Sequence, residues 1–244
     1  VLRQWQCLFL NEVISPAELP TTISAYKSQQ ARWSKGSSQC LLKYGRAITT
    51  AHQHTPLARF YALMSMSAYS TNLLVILLLL LQIPLLLLDV RFSSWLLLFS
   101  VAGIGQPLLF VMSQQVLYAD WLRRLRHFPT MVLVAIGMAP NNSRAIWQAI
   151  FSREHDFVRT PKQGSLTHSP LHELNFDWII LVELGLALYA WMGVLVALRQ
   201  QNHGPLFFLL TCALAYSYML TLNMREWRWH WRQDRQETAV TPLR

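Results

Sequence analysis

Charged side chains are scarce in this sequence. Asp, Glu, Lys and Arg make up only 14% of the 244 residues, whereas hydrophobic residues make up 53%. Soluble domains carry about a quarter charged residues. The composition therefore argues against a soluble globular enzyme and favours a chain that is largely in contact with lipid.

Cysteines and acidic residues are also few. Cys7, Cys40 and Cys212 are far apart and form no C-x-x-C pair, so neither a disulfide framework nor a zinc site is indicated. The 21 Lys and Arg outnumber the 12 Asp and Glu, which gives a net charge of +9. In so apolar a chain we interpret this excess as a mark of membrane topology and expect no nucleic-acid partner. No leader pattern precedes the first apolar stretch, so we predict no signal peptide.

Long hydrophobic stretches, by contrast, are abundant. A membrane span needs about 20 apolar residues, because a helix rises about 1.5 Å per residue and the hydrocarbon core is about 30 Å thick. The sequence has four such stretches, at residues 67–88, 95–117, 178–198 and 204–224. A fifth apolar run, 129–139, is about half the required length, so we predict that it does not span.

The basic residues divide unevenly between the segments that connect these spans. Loops 89–94 and 199–203 hold only Arg91 and Arg199, so the other 19 basic residues share the opposite side. The positive-inside rule makes that side cytoplasmic, together with the C-terminus. We therefore expect an integral protein of a bacterial inner (plasma) membrane, in contact with membrane lipid.

Two further segments have the pattern of helices that lie at a membrane surface. In 140–152, Ile146, Trp147, Ile150 and Phe151 share one predicted face, and Arg144 lies on the other. The tail has arginines at helical spacing and three tryptophans suited to the headgroup layer: Arg225, Arg228, Arg232, Arg235, Trp227, Trp229 and Trp231. We predict that the tail anchors to lipid.

Residues 21–44 are predicted to form an amphipathic helix along the membrane surface. Its apolar stripe consists of Ile23, Tyr26, Trp33, Cys40 and Tyr44. Gln29, Arg32 and Trp33 follow an i, i+3, i+4 spacing, so an amide, a guanidinium and an indole project from one patch. An aromatic plane beside hydrogen-bonding groups suits a sugar ring. The alternative is a membrane anchor that happens to carry a tryptophan.

The block 16–36 resembles the Q-x-x-R-W region of membrane-embedded family-2 glycosyltransferases, the group of cellulose synthases and cellulose-synthase-like mannan synthases. The resemblance implies that Gln29, Arg32 and Trp33 bind the acceptor end of a growing glycan. The block 154–164 is similar to the gating loop of this family, patterned F-x-V-T-x-K. Phe157, Thr160 and Lys162 match, and Arg159 stands in place of the valine. The resemblance implies that this loop closes over the nucleoside diphosphate; the alternative is a solvated basic linker.

The catalytic motifs of that family are absent from the sequence. It has neither the Asp-x-Asp that holds Mg²⁺ or Mn²⁺ nor the Thr-Glu-Asp that supplies the general base. The resemblance therefore implies a C-terminal part that is inactive alone. It would act with an N-terminal catalytic domain of the same polypeptide, which binds the nucleotide sugar and the metal. We expect no catalytic residue and no metal ligand in this chain.

Glu183 lies within a predicted span, where an ionisable group is either part of a polar path, here for a glycan, or a hydrogen-bonding partner of a neighbouring helix. We leave both alternatives open.

The expected fold is an all-α polytopic membrane protein with about four spans, interfacial amphipathic helices and a cytoplasmic gating-type loop. The expected function is acceptor binding and translocation in a processive hexosyltransferase of polysaccharide biosynthesis. Two alternatives remain: a non-enzymatic membrane protein such as a transporter subunit or assembly factor, and a lipid glycosyltransferase of the same family. The segments are 1–20, a remnant of the catalytic domain; 21–60, the interfacial helix; 61–118, two spans; 119–177, the second interfacial helix and loop; 178–224, two spans; and 225–244, the basic tail.

Overall fold

The computed structural model describes residues 8–10, 12–17, 19–90, 97–151 and 177–240, and the protein is of the all-α class over these ranges. The side chains of 97–102, 104, 230 and 232–240 are outside this description. No strand occurs within the described ranges. The helices are α1 (Ile23–Thr49), α2 (Pro56–Ser67), a 3₁₀ turn (Ala68–Ser70), α3 (Thr71–Leu87), α4 (Leu97–Leu117), α5 (Trp121–Leu125), α6 (Phe128–Gly137), α7 (Ala139–Phe151), α8 (Ile179–Arg199) and α9 (Leu206–Val240).

Three helical stretches of the described chain are long and apolar enough to cross a membrane. They are Pro56–Leu87, Ile179–Arg199 and Leu206–Trp229. These stretches coincide with the first, third and fourth predicted spans and confirm the class, an all-α membrane protein. The second predicted span falls on α4, but residues 95 and 96 and several side chains of that helix lie outside the description. Helix α6 has 10 residues, about 15 Å, which is too short to span, as predicted.

The first span begins earlier than its apolar residues suggest. The Thr55 hydroxyl accepts a hydrogen bond from the Ala58 N–H at 3.2 Å, and Pro56 occupies the first turn. Both features start a helix, because the cap satisfies a free N–H and proline needs no partner there. Helices α2 and α3 and the 3₁₀ turn between them therefore form one stretch of 32 residues.

The described chain divides into two compact units. One comprises Leu77–Gly137 and Glu183–Met219 and contains the packing core of the spans. Within it, α8 turns a row of small side chains inward, at Ala187, Ala190 and Ala197. Small residues let neighbouring helices approach closely, which is how helices associate in lipid.

A proline in this unit leaves a backbone carbonyl for another helix to satisfy. Pro84 lies inside α3 and has no N–H, so the Leu80 carbonyl lacks its usual helical partner. The Tyr189 hydroxyl donates a hydrogen bond to that carbonyl. This contact joins α8 to α3 at the point where lipid offers no substitute donor.

The other unit comprises Val1–Ile76, Met138–Val182 and Leu220–Arg244. In it, α1 packs along α7. Helix α1 is capped by the Thr22 hydroxyl, which accepts from the Ala25 N–H at 3.2 Å. It ends at Thr49, five residues beyond the predicted end. Helix α9 has 35 residues and continues through the basic tail as far as Val240, so the helical spacing of the tail arginines is confirmed.

One predicted residue position on α7 is wrong. Trp147, Ile150 and Phe151 are exposed, as a membrane-surface helix requires, and the rings of Trp147 and Phe151 are 4.3 Å apart. Ile146, predicted on the same face, is instead buried with Ala145. Helix α7 packs against α1 and the 3₁₀ turn, and the helical period alone does not reveal such tertiary contacts.

Candidate functional site

The predicted sugar-binding patch lies near the middle of α1. Trp33 is 53% exposed, while Gln29 and Arg32 are half-buried beside it on the same helix. A methyl group added at Gly36, about one turn further on, would meet no described atom within 4 Å. The patch thus combines an accessible indole with two polar side chains and open space.

The remaining members of the predicted apolar stripe are also accessible. Cys40 and Tyr44 are exposed, and Ile23 and Tyr26 are half-buried. The side of α1 that packs against protein is therefore not its apolar stripe. This arrangement suits a helix whose apolar side meets lipid or a ligand rather than a protein core.

The opposite side of α1 is polar and buried. Lys27, Ser34 and Ser38 face inward, and α7 contributes the buried amides Asn141 and Asn142. The Ser34 hydroxyl donates to the Asn142 carbonyl oxygen at 3.0 Å, and the Asn141 amide donates to the Lys27 carbonyl oxygen at 2.9 Å. Because buried polar groups are costly unless they are paired, these contacts fix α1 on α7 in one register.

The same network reaches the beginning of α3 and the 3₁₀ turn before it. The Asn142 amide donates to the Asn72 side-chain oxygen at 3.4 Å. Asn72 in turn donates to the Tyr69 carbonyl oxygen at 2.8 Å. The Tyr69 hydroxyl donates to the Gln30 side-chain oxygen at 3.2 Å. Gln30 directly follows Gln29 of the patch, so the helix that carries the patch is tied to α3.

An ion pair links α7 to the beginning of α8. Arg144 Nη1 lies 2.6 Å from Asp177 Oδ1, and the same oxygen accepts the Ile179 N–H at 3.1 Å. The sequence predicts Arg144 on the polar face of a surface helix, but in the structure it is half-buried and paired with Asp177. It also lies 5.8 Å from the Trp178 ring centroid, within the range of a cation–π contact.

The end of α9 also contacts α1. Glu226 accepts hydrogen bonds from the backbone N–H of Ser24, at 3.0 Å, and from the Ser24 hydroxyl. Asn72 of α3, Asp177 just before α8 and Glu226 of α9 thus lie in one compact unit with α1 and α7.

Sequence reasoning did not identify the buried asparagines. The signal that points to them is the run Pro140-Asn-Asn-Ser between two apolar segments, since amides in such a place need partners. The identity of those partners, in α1 and α3, depends on packing between segments distant in sequence.

The gating-type block and Glu183 are the two remaining predicted features. The gating-type block, with Phe157, Thr160 and Lys162, lies outside the described residues. Glu183 is completely buried within α8, close to Tyr216 of α9. Its surroundings suit the interhelical role, while a polar path along it stays a prediction. Among the described residues, no group of three or more His, Cys, Asp or Glu could hold a metal ion.

Comparison of the chain with protein-family models, with curated proteins and with solved structures finds no match. The described helices and their apolar lengths define an all-α membrane protein, and the Q-x-x-R-W patch is its candidate functional site.

Proposed function

We propose that this chain is the C-terminal membrane segment of a processive family-2 glycosyltransferase and binds the acceptor end of a growing β-glycan. The observation that carries the proposal is the exposed Trp33 next to Gln29 and Arg32, on a helix whose other side is held by buried hydrogen bonds. The complete enzyme would transfer a hexose from a nucleotide sugar and pass the polymer through the membrane.

The chemistry of the patch supports sugar binding. The apolar face of a pyranose ring stacks on an indole, and its hydroxyl groups need donors and acceptors close to that plane. Arg32 supplies only donors, whereas Gln29 supplies both a donor and an acceptor. Their positions, about one turn apart on the same helix, would bring these groups to the edge of a ring stacked on Trp33.

The rigidity of α1 also supports the proposal. A binding site is effective when its side chains are held in place before the ligand arrives, because less conformational entropy is then lost. The Ser34 and Asn141 contacts provide this support from behind the patch. The contact of Tyr69 with Gln30 further ties the patch to the 3₁₀ turn within the first spanning stretch.

The remaining parts of the reaction rest on the resemblance. Phe157, Thr160 and Lys162 would cover the nucleoside diphosphate, and a Mg²⁺ or Mn²⁺ ion would be bound by a catalytic domain preceding this chain. The chain alone is then inactive. The 19 basic residues predicted on one side favour a cytoplasmic position for the patch and the C-terminus, at a bacterial plasma membrane.

Binding of short β-linked glucose and mannose oligomers to the purified chain in detergent tests the proposal. Trp33→Ala should weaken binding at least about fivefold, if stacking a sugar ring on an aromatic side chain gains about 1–3 kcal/mol, as stacking of a nucleic-acid base does. Trp147→Ala is the matched control, because Trp147 is also more than half exposed but lies on α7, outside the patch. Absence of binding by the wild type, or equal losses in both variants, would return α1 to the role of a membrane anchor.

A further inference from the structure

A short basic segment follows α4. Helix α5 and the two residues after it contain Arg123, Arg124, Arg126 and His127 within five positions. Asp120 is the only acidic residue between Asp89 and Glu154 in the sequence. Local positive charge therefore exceeds local negative charge.

One of the three arginines, Arg124, already has an acidic partner. Arg124 Nε lies 2.8 Å from Asp120 Oδ1, and its guanidinium carbon lies 3.7 Å from the centroid of the Tyr118 ring. The hydrogen bond from Arg124 lowers the pKa of Asp120 below its ordinary value. Arg124 and Asp120 thus form a pair without net charge.

The other two arginines are exposed. In the ranges that the structure describes, neither Arg123 nor Arg126 has a carboxylate within ion-pair distance. Arg126 Nε donates to the neighbouring His127 ring at 3.2 Å, and within the described residues no acceptor is seen at its terminal nitrogens. Two guanidinium groups on one helical turn are a suitable pair for a phosphate.

Exposed apolar side chains lie near these arginines. Val116 and Leu117 at the end of α4 are strongly exposed, and so is Leu122. Leu122 and Arg126 are four residues apart on the same helical turn, so an aliphatic side chain and a guanidinium share one face. The Phe128 ring packs against Phe110 of α4, with centroids 5.2 Å apart, which holds the segment close to the apolar helix.

We propose that Arg123 and Arg126 bind the phosphate of an anionic phospholipid headgroup while Leu122 contacts its acyl chains. The occupant is a lipid rather than a free phosphate, because the exposed leucine and valine side chains would gain nothing from a hydrated inorganic anion. Net positive charge on this segment is complementary to an anionic leaflet. The proposal does not depend on the glycosyltransferase function.

Native mass spectrometry of the full chain in detergent, titrated with phosphatidylglycerol or phosphatidylcholine, tests this site. Each basic residue near an anionic surface contributes about fivefold in affinity, so R123Q with R126Q should weaken phosphatidylglycerol binding about 25-fold. Phosphatidylcholine binding should change little. Each single variant should show about a fivefold loss.

Two controls separate a site from general charge. D120N with R124Q removes the engaged pair without changing the net charge, and should leave binding unchanged. K43Q with R46Q removes the same charge as R123Q with R126Q, but from exposed positions on α1. An equal loss in this second control, or competition by inorganic phosphate at the concentration of the lipid, would overturn the proposal. Retained binding in R123Q with R126Q, with helical content intact, would do the same.

Discussion

A glycine in the third predicted span offers a quantitative test of the packing between spans. Gly193 lies on the buried side of α8, and a β-carbon placed there would approach Leu209 Cδ2 to 2.8 Å and Ile83 Cγ1 to 3.5 Å. Leu209 is itself fully buried, so it has little room to move away. We expect the substitution Gly193→Leu to disrupt the contact of α8 with α9 and α3.

The magnitude follows from two opposing effects. Leucine is favoured over glycine in a helix by about 0.8 kcal/mol, which stabilises the variant. Forcing extra carbon atoms into a packed interior costs about 1–3 kcal/mol, and a leucine adds four carbons at a position that already rejects the first. The net expectation is a decrease of about 0.2–2 kcal/mol in the free energy of unfolding.

Gly185 provides the matched control on the same helix. It is exposed, and a β-carbon there would meet no described atom within 4 Å. Gly185→Leu should therefore be neutral or slightly stabilising. Both variants can be compared in detergent by equilibrium unfolding followed by circular dichroism. If both have the same unfolding free energy, α8 does not pack against α3 and α9 as described here.

Three further predictions concern the unit that contains the candidate site and the segments around it. Asn141→Ala removes the hydrogen bond to the Lys27 carbonyl and should lower the unfolding free energy by about 1–2 kcal/mol in the same assay; no change would mean that α1 is not held by this contact. Arg124→Gln should raise the pKa of Asp120 towards its ordinary value in a carboxyl NMR titration, because the depressed pKa depends on that partner. Any stability from this pair is present above the unfolded pKa and is lost as pH falls through the folded one; an unshifted pKa in the variant would contradict the pairing. Cysteines introduced at His52 and Gln200 should react with an impermeant maleimide from opposite sides of the membrane, and labelling from one side would refute the topology.

The sequence was sufficient to predict the helical membrane class, three span positions and the short, non-spanning run at 129–139. Each of these depends on a property of one contiguous segment, namely its length, hydropathy or spacing. The sequence predicts two helix boundaries less accurately: the end of α1, at Thr49, and the start of the first span, at Pro56. Caps and turn residues decide such boundaries rather than apolar content.

The polar contacts behind the patch could not be predicted in the same way. Asn141 and Asn142 pair with α1 and α3, which are about 70 to 114 positions away in the chain. Likewise, Ile146 is buried on a helix that α1 packs along, and Arg144 forms an ion pair with Asp177, 33 positions away. Helical periodicity identifies which residues share a face, but it does not identify what that face meets.

The central claim is that Trp33 stacks on the acceptor end of a glycan during synthesis by the complete enzyme. The most direct measurement is the incorporation of labelled hexose from nucleotide sugars into polymer, by membranes that contain the complete gene product at equal expression. We expect synthesis by the wild type, a loss of at least about fivefold in Trp33→Ala, and near-normal synthesis in Trp147→Ala. Equal synthesis by Trp33→Ala and the wild type, or no synthesis by the wild type from any nucleotide hexose, would contradict it.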